Sequence, residues 1–321
     1  MKLATLPNGT PDGRLHVVTR DLTRCAPAQA VTTLQAALEN WVAVASALER
    51  DYAALNAGGG SPFQPLAALA PLPRAWQWLD GSAFDSHGDL MQKVFNTAPV
   101  DTGGKPLMYQ GVSNVFLAPA QDVRMPSTDD GIDFEGEFGI ITDAVPMGTP
   151  ASRARAHIRL IVQINDWSLR RLAPIEMKTG FGWVQAKPAC SMAPVAVTPD
   201  ELGPAWRDAR VDLPLLVDWN GERFGAANGY AMSAGFDELV AHAAYSRDLV
   251  AGTVIGSGTV SNPNYREVGS SCIAERRGIE LADQGEPTTP FMAYGDRIRM
   301  EVFGTDGQSV FGPIDQAVVR P

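Results

Sequence analysis

Asp133-Phe134-Glu135-Gly136-Glu137 places three carboxylates at alternate positions. Alternation by two is the spacing of a β-strand, so Asp133, Glu135 and Glu137 share one face while Phe134, Phe138 and Ile140 pack on the other. A row of like charges repels itself, and two readings resolve it. One is a solvated strand face, the ordinary meaning of alternating acids. The other is a site for a hard divalent cation held by oxygen ligands, which suits Mg2+, Mn2+ or Ca2+ rather than zinc. A further acid bears on the choice. The apolar run Leu160-Ile161-Val162-Gln163-Ile164 ends in Asn165-Asp166-Trp167-Ser168, so the Asp166 carboxylate stands at the end of a buried element and needs a partner. A cation shared by Glu135, Glu137 and Asp166 would satisfy all three. On spacing alone the two readings stand level.

The elements that must position these groups are mostly strands. Residues 1–24 read as a hairpin opening around Asp12-Gly13. Residues 33–55 read as helix, with Leu34, Leu38, Trp41, Val42, Ala45 and Leu48 recurring at three and four. Gly58-Gly59-Gly60-Ser61-Pro62 stops it, and the Pro-, Ala- and Leu-rich residues 61–74 form an extended connector. This sets a boundary near residue 75, between a small N-terminal accessory domain (1–75) and a larger domain (76–321). Trp76-Gln77-Trp78-Leu79-Asp80 reads as a strand that turns into a helix over 88–95, and residues 152–159 as a short basic helix. A hairpin over 211–224 turning at Asn220-Gly221, a helix over 236–245, and strands over 253–260 and 297–303 follow. Strands outnumber helices, and 31 glycines with 24 prolines mark long loops, so an α+β, β-rich class is expected. Gly256-Ser257-Gly258 lies in no strand–GxGxxG–helix unit, and no phosphate-binding GxxxxGK[ST] occurs.

At 321 residues, 45% hydrophobic and 19% charged, the chain has the composition of a globular protein. No apolar run approaches the roughly 20 residues of a membrane span, and the first residues lack the apolar core of a secretory signal. The expectation is a cytoplasmic protein with no membrane partner. A net charge of −10 disfavours nucleic acid and anionic membrane surfaces, while leaving a small anionic substrate open. Cys25, Cys190 and Cys272 show no metal-site spacing and are expected as reduced thiols in apolar niches.

Taken in order, the Asp133–Glu137 stretch, Asn165-Asp166-Trp167-Ser168-Leu169-Arg170, Lys187 and Gly256-Ser257-Gly258-Thr259 resemble the motif series of the fumarylacetoacetate hydrolase family. The resemblance spans residues 76–321, and residues 1–75 look like the accessory domain of bacterial members. It implies a mixed β-sandwich roll that holds Mg2+ (or Ca2+ or Mn2+) through Glu135, Glu137 and Asp166, in a homodimer. The family's fumarylacetoacetases carry a fourth carboxylate seven residues before a catalytic histidine, a separation matched by Asp80 and His87. Glu275 stands where the family places the glutamate that orients this histidine. Tyr109, in Pro106-Leu107-Met108-Tyr109-Gln110-Gly111, inherits a substrate-binding role, and Arg170 and Thr259 are taken as further substrate contacts. Lys187 would supply positive charge to a developing oxyanion. His16, His157 and His242 are read as structural.

The implied reaction is metal-dependent hydrolysis of a carbon–carbon bond in a 1,3-diketo acid such as fumarylacetoacetate, in aromatic-compound or tyrosine catabolism, with His87 as general base. The chain departs from the animal enzymes at several points. Gln110-Gly111-Val112 replaces H-G-R, Arg171 replaces an aspartate, Ala173 stands near the usual glutamine, and Pro188-Ala189-Cys190 follows Lys187 in place of S-F-G. These changes touch substrate recognition and leave the metal ligands and the base in place. Acylpyruvate hydrolysis, 2-oxo-alkenoate hydration and 2-oxo acid decarboxylation are alternatives on the same fold. A non-catalytic, metal-stabilised binding protein is the alternative of another class.

Overall fold

The computed structural model describes residues 1–95 and 101–321. Its largest element is an eleven-stranded sheet. From one edge the order is Ser61–Pro62, Arg24–Pro27, Arg14–Val18, Lys2–Leu6, Val195–Val197, Ile158–Asn165, Gly136–Thr142, Thr253–Gly256, Gln77–Ser82 and Leu107–Gly111. Ser191–Met192 pairs beside this path with Ile158–Asn165. The opening hairpin forms as expected, and Lys2–Leu6 then pairs with Val195–Val197 through Lys2↔Val197 and Ala4↔Val195. The N-terminal strands therefore lengthen the main sheet instead of closing one of their own. Thr253–Gly256 runs parallel to Gln77–Ser82, which sets Gly256 opposite Asp80.

A second, five-stranded sheet runs Glu222–Asn228, Pro214–Trp219, Arg297–Val302, Ile314–Val319 and Val123–Arg124. Its hairpin turns at Asn220-Gly221, whose φ values of 53° and 82° give the left-handed pair that matches strand twist. Side-chain alternation along the main sheet divides the core in two. Phe138, Ile140, Ile161 and Ile255 face the second sheet and join Leu215, Val217 and Phe311. Trp78, Ile141, Leu160, Val162 and Val254 face the other way, where helices Leu34–Glu39 and Trp41–Ala57 supply Leu34, Leu38, Leu48 and Leu55. The architecture is α+β, with two sheets face to face and the N-terminal helices on the outer face of the larger one. No helix among the described residues is long and apolar enough to cross a membrane.

The acidic stretch is not one continuous strand. Ile132–Asp133 pairs with Ser168–Leu169 as a separate two-stranded piece, the backbone at Glu135 bridges to Cys272, and the main ladder resumes at Gly136. Two contacts hold the interruption: the Asn165 side chain accepts from the Glu135 N–H at 2.9 Å, and the Asp166 N–H donates to the Glu135 carbonyl at 2.9 Å. The helix expected from Gly88 begins at Asp85. Apolar spacing gives no sign of the helix Ile273–Gln284, because its buried side includes Glu275 and Gly278 beside Ile273 and Ile279.

Phe138 is fully buried between the sheets, 6.3 Å ring to ring from Phe311. Phe138→Ala should cost about 3–5 kcal/mol of stability, read as a lower midpoint in urea unfolding with little change of slope.

Candidate active site

Strand register gathers the chemistry on one face. Glu137 pairs opposite Ile164, and Asp166, two residues further along, comes to the same face. Gly139 stands opposite Gly256, Gly256 opposite Asp80, and Asp80 opposite Tyr109. Carboxylate oxygens of Asp80, Glu137 and Asp166 lie within 4.8 Å of one another, and all three residues are buried. Glycine makes this approach possible: a Cβ at position 256 would sit 2.4 Å from Asp80 Oδ1 and 2.9 Å from Glu137 Oε2. Burial, then the nearby Asp166 carboxylate, pushes Asp80 well above the ordinary carboxyl range. Burial and the Asp80 carboxylate do the same to Glu137. Both Glu137 oxygens are buried without a hydrogen-bond partner among the described residues.

Glu135 is the one expected ligand that stands outside this cluster. Its Oε1 accepts from Lys187 Nζ and Ser168 Oγ, each at 2.5 Å, and its Oε2 accepts from Thr259 Oγ1. Arg170 Nη2 lies 3.1 Å from the same Oε1 in ion-pair contact. Burial alone would raise Glu135, but Arg170 and Lys187 hold it below the usual range. Lys187 Nζ also reaches Asp166 Oδ2 at 2.5 Å, so it links Glu135 to the cluster. Burial opposes the Lys187 charge, and Asp166 with Glu135 overcome that and raise it. Arg170 gives its Nε to Asp133 Oδ2 at 2.7 Å. Asp133 itself has left the acid row: its oxygens accept the Ile273 and Ala274 N–H groups, at 2.7 and 2.9 Å, in the first turn of helix Ile273–Gln284.

That helix carries Glu275, which is fully buried, and His87 Nδ1 lies 2.8 Å from Glu275 Oε2. His87 sits on helix Asp85–Phe95, which follows the Asp80 strand after two residues and packs against helix Ile273–Gln284. Histidine and glutamate, 188 residues apart in sequence, thus meet as expected. Tyr109 Oη donates to Asp166 Oδ2 at 2.6 Å, and burial followed by Asp166 raises it well above an ordinary phenol, so it keeps its proton. Cys190 corrects the expectation of an apolar niche: its thiol donates to Asp166 Oδ1 at 2.8 Å. Its place three residues after Lys187 carries no sequence signal for that contact. Asp143 pairs with His157 at 2.7 Å, a contact away from the cluster that fits the structural reading of that histidine.

Residues 77–319 match the family profile for the fumarylacetoacetate (FAA) hydrolase C-terminal domain. The chain belongs to this family. Residues 1–74 match fumarylacetoacetase N-terminal domain 2. A curated relative, an uncharacterised protein of Pyrococcus horikoshii, is 24% identical over 158 residues, which are 48% of this chain and 66% of that protein. Among solved structures, a candidate HpcE protein of Mycobacterium smegmatis superposes with a TM-score of 0.71 at 20% identity, covering 100% of this chain and 99% of that one. The 5-carboxymethyl-2-hydroxymuconate delta-isomerase of M. smegmatis gives 0.63 at 18%, with the same coverage. The maleylpyruvate hydrolase of Sphingobium sp. SYK-6, in complex with manganese(II) and pyruvate, also gives 0.63 at 18%, again covering 100% and 99%. These likenesses establish the fold of this family member.

The donor set fits a hard divalent cation: three buried carboxylates converge, and Glu137 has no other partner for either oxygen. Glu137→Gln should raise the melting temperature of the metal-stripped protein, because it removes one repelling charge and adds an amide donor. The same variant should lose the melting-temperature gain that Mn2+ gives the unaltered protein. pH supplies a second check. A carboxylate raised in the folded state gives stability that is present below its unfolded pKa and lost as pH rises through the folded one. The difference in melting temperature between Mn2+-loaded and chelator-treated protein should therefore widen from about pH 4 upward.

Proposed function

We propose that this protein hydrolyses a carbon–carbon bond in a 1,3-diketo acid such as fumarylacetoacetate or an acylpyruvate, using Mg2+, Mn2+ or Ca2+ held by Asp80, Glu137 and Asp166. The observation that carries the reading is the His87–Glu275 contact of 2.8 Å, on a helix that leaves the Asp80 strand directly. When bound, the cation supplies Lewis acidity to a carbonyl oxygen. With Nδ1–H donated to Glu275, His87 keeps the Nε2 lone pair free to take a proton from water. The water oxygen bonds to the acyl carbon and the carbon–carbon bond breaks. The electron pair stays on the methylene carbon, which takes up the proton, so the products are a carboxylic acid and a methyl ketone. Lys187 keeps positive charge beside the reacting oxygens, and Tyr109 remains a donor.

The isomerase among the structural neighbours suggests a second reading, in which only protons move. A histidine held by a fully buried glutamate favours water activation over it. Purified protein should consume a 1,3-diketo acid in the presence of Mg2+ or Mn2+ and stop with chelator. His87→Ala should lower kcat by about 10²–10⁴-fold and Glu275→Gln by a smaller factor, with Mn2+ binding kept in both. Full turnover by His87→Ala would rule out this base, and absence of any cleavage by the unaltered protein would rule out the reaction.

A further inference from the structure

Residues 170–186 leave the site and return to it as a loop closed at its base by the Leu169 N–H donating to the Ala186 carbonyl at 2.8 Å. Inside the loop, the Glu176 carboxylate accepts three successive backbone N–H groups, from Val184 at 3.1 Å, Gln185 at 2.9 Å and Ala186 at 3.0 Å. Three consecutive N–H groups around one anion form a nest that fixes the backbone between Trp183 and Lys187. Trp183 stands edge-on to Tyr109 at 6.1 Å and 85°, and Tyr109 reaches Asp166. Phe181 and Val184 on either side of Trp183 are 96% and 81% exposed.

From this arrangement we infer that Trp183 is a specificity-determining residue, walling the end of the site that receives the acyl arm, and that the preferred arm is apolar rather than carboxylate-tipped. The inference rests on the proposed function and narrows its substrate class to acylpyruvate-type acids with an apolar acyl arm, setting aside fumarylacetoacetate, whose fumaryl arm ends in a carboxylate. Charge accounting supports it. Among the described residues, Arg170 is paired with Asp133 and Glu135, and Lys187 with Glu135 and Asp166, so both cations in contact with the acidic residues are already engaged. A second carboxylate on the arm would be desolvated against an aromatic wall without a partner. An aryl or alkyl arm would meet the edge and face of Trp183 and Tyr109.

Three 2-oxo acids that lack a scissile 1,3-dicarbonyl separate this wall from the chemistry: pyruvate, 2-oxo-4-phenylbutanoate and 2-oxoadipate. Calorimetry on the Mn2+-loaded protein should show the phenyl-tipped acid binding about tenfold more tightly than the carboxylate-tipped one. Trp183→Ala should erase that preference while leaving pyruvate affinity unchanged, and Trp183→Phe should keep most of it. Glu176→Gln, which weakens the nest, should reduce the preference partway. Equal binding of the two long acids by the unaltered protein, an unchanged preference in Trp183→Ala, or no binding of any of the three would overturn the inference. Should the binding pattern appear while no diketo acid is cleaved, the wall stands and the hydrolytic reading falls.

Discussion

Three carboxylates brought within 4.8 Å in a buried place repel one another, and burial makes each charge harder to keep. The surrounding structure disposes of this stress in stages. Asp80 and Glu137, with no cation against them, are driven toward the protonated form. Asp166 is shared among Lys187, Tyr109 and Cys190. Glu135 is neutralised outright by Lys187 and Arg170, helped by two hydroxyl donors. What remains without a partner among the described residues is Glu137, and that residual demand is one a divalent cation would answer.

The same accounting links the acidic face to the His87–Glu275 pair. Asp133 shares Arg170 with Glu135 and, through its other contacts, satisfies the first N–H groups of helix Ile273–Gln284. A carboxylate is favoured there by the unpaired N–H groups and by the helix dipole. The helix so anchored carries Glu275 in its first turn, which in turn holds His87. One interrupted strand therefore serves both places: Glu137 joins the acidic cluster with Glu135 at its border, and Asp133 sets the helix that carries Glu275. A continuous strand would have kept all three acids in one row and left the helix without its anchor.

Much of this was legible in the sequence, for identifiable reasons. Alternation marked the acids, an apolar run marked the strand that delivers Asp166, and Asn220-Gly221 marked the hairpin turn of the second sheet, because each signal is local. The seven-residue step from Asp80 to His87 spans one short connection that joins the strand to the helix. Long-range consequences were not legible. Nothing near Cys190 announces that its thiol meets Asp166, and nothing in residues 1–18 announces pairing with Val195–Val197. The Ile273–Gln284 helix was hidden because its inner face is set by a buried glutamate and a glycine rather than an apolar stripe. Glu135 shows the same limit: strand spacing puts it in the acid row, while the arginine and lysine that pair with it come from 35 and 52 residues later.

The placement of Lys187 also bears on whether the cation serves the fold or the chemistry. A scaffold stabilised by metal needs the ion to complete its core, as in small domains that unfold without it. Here two extensive apolar clusters lie on the two faces of the main sheet. Lys187 already bridges Glu135 and Asp166 with its own ammonium group, so the chain carries an internal counter-ion. This ammonium draws Glu135 and Asp166 together from within the chain. The charge imbalance lies at Asp80 and Glu137, and Asp80 stands on the strand that leads into the helix of His87.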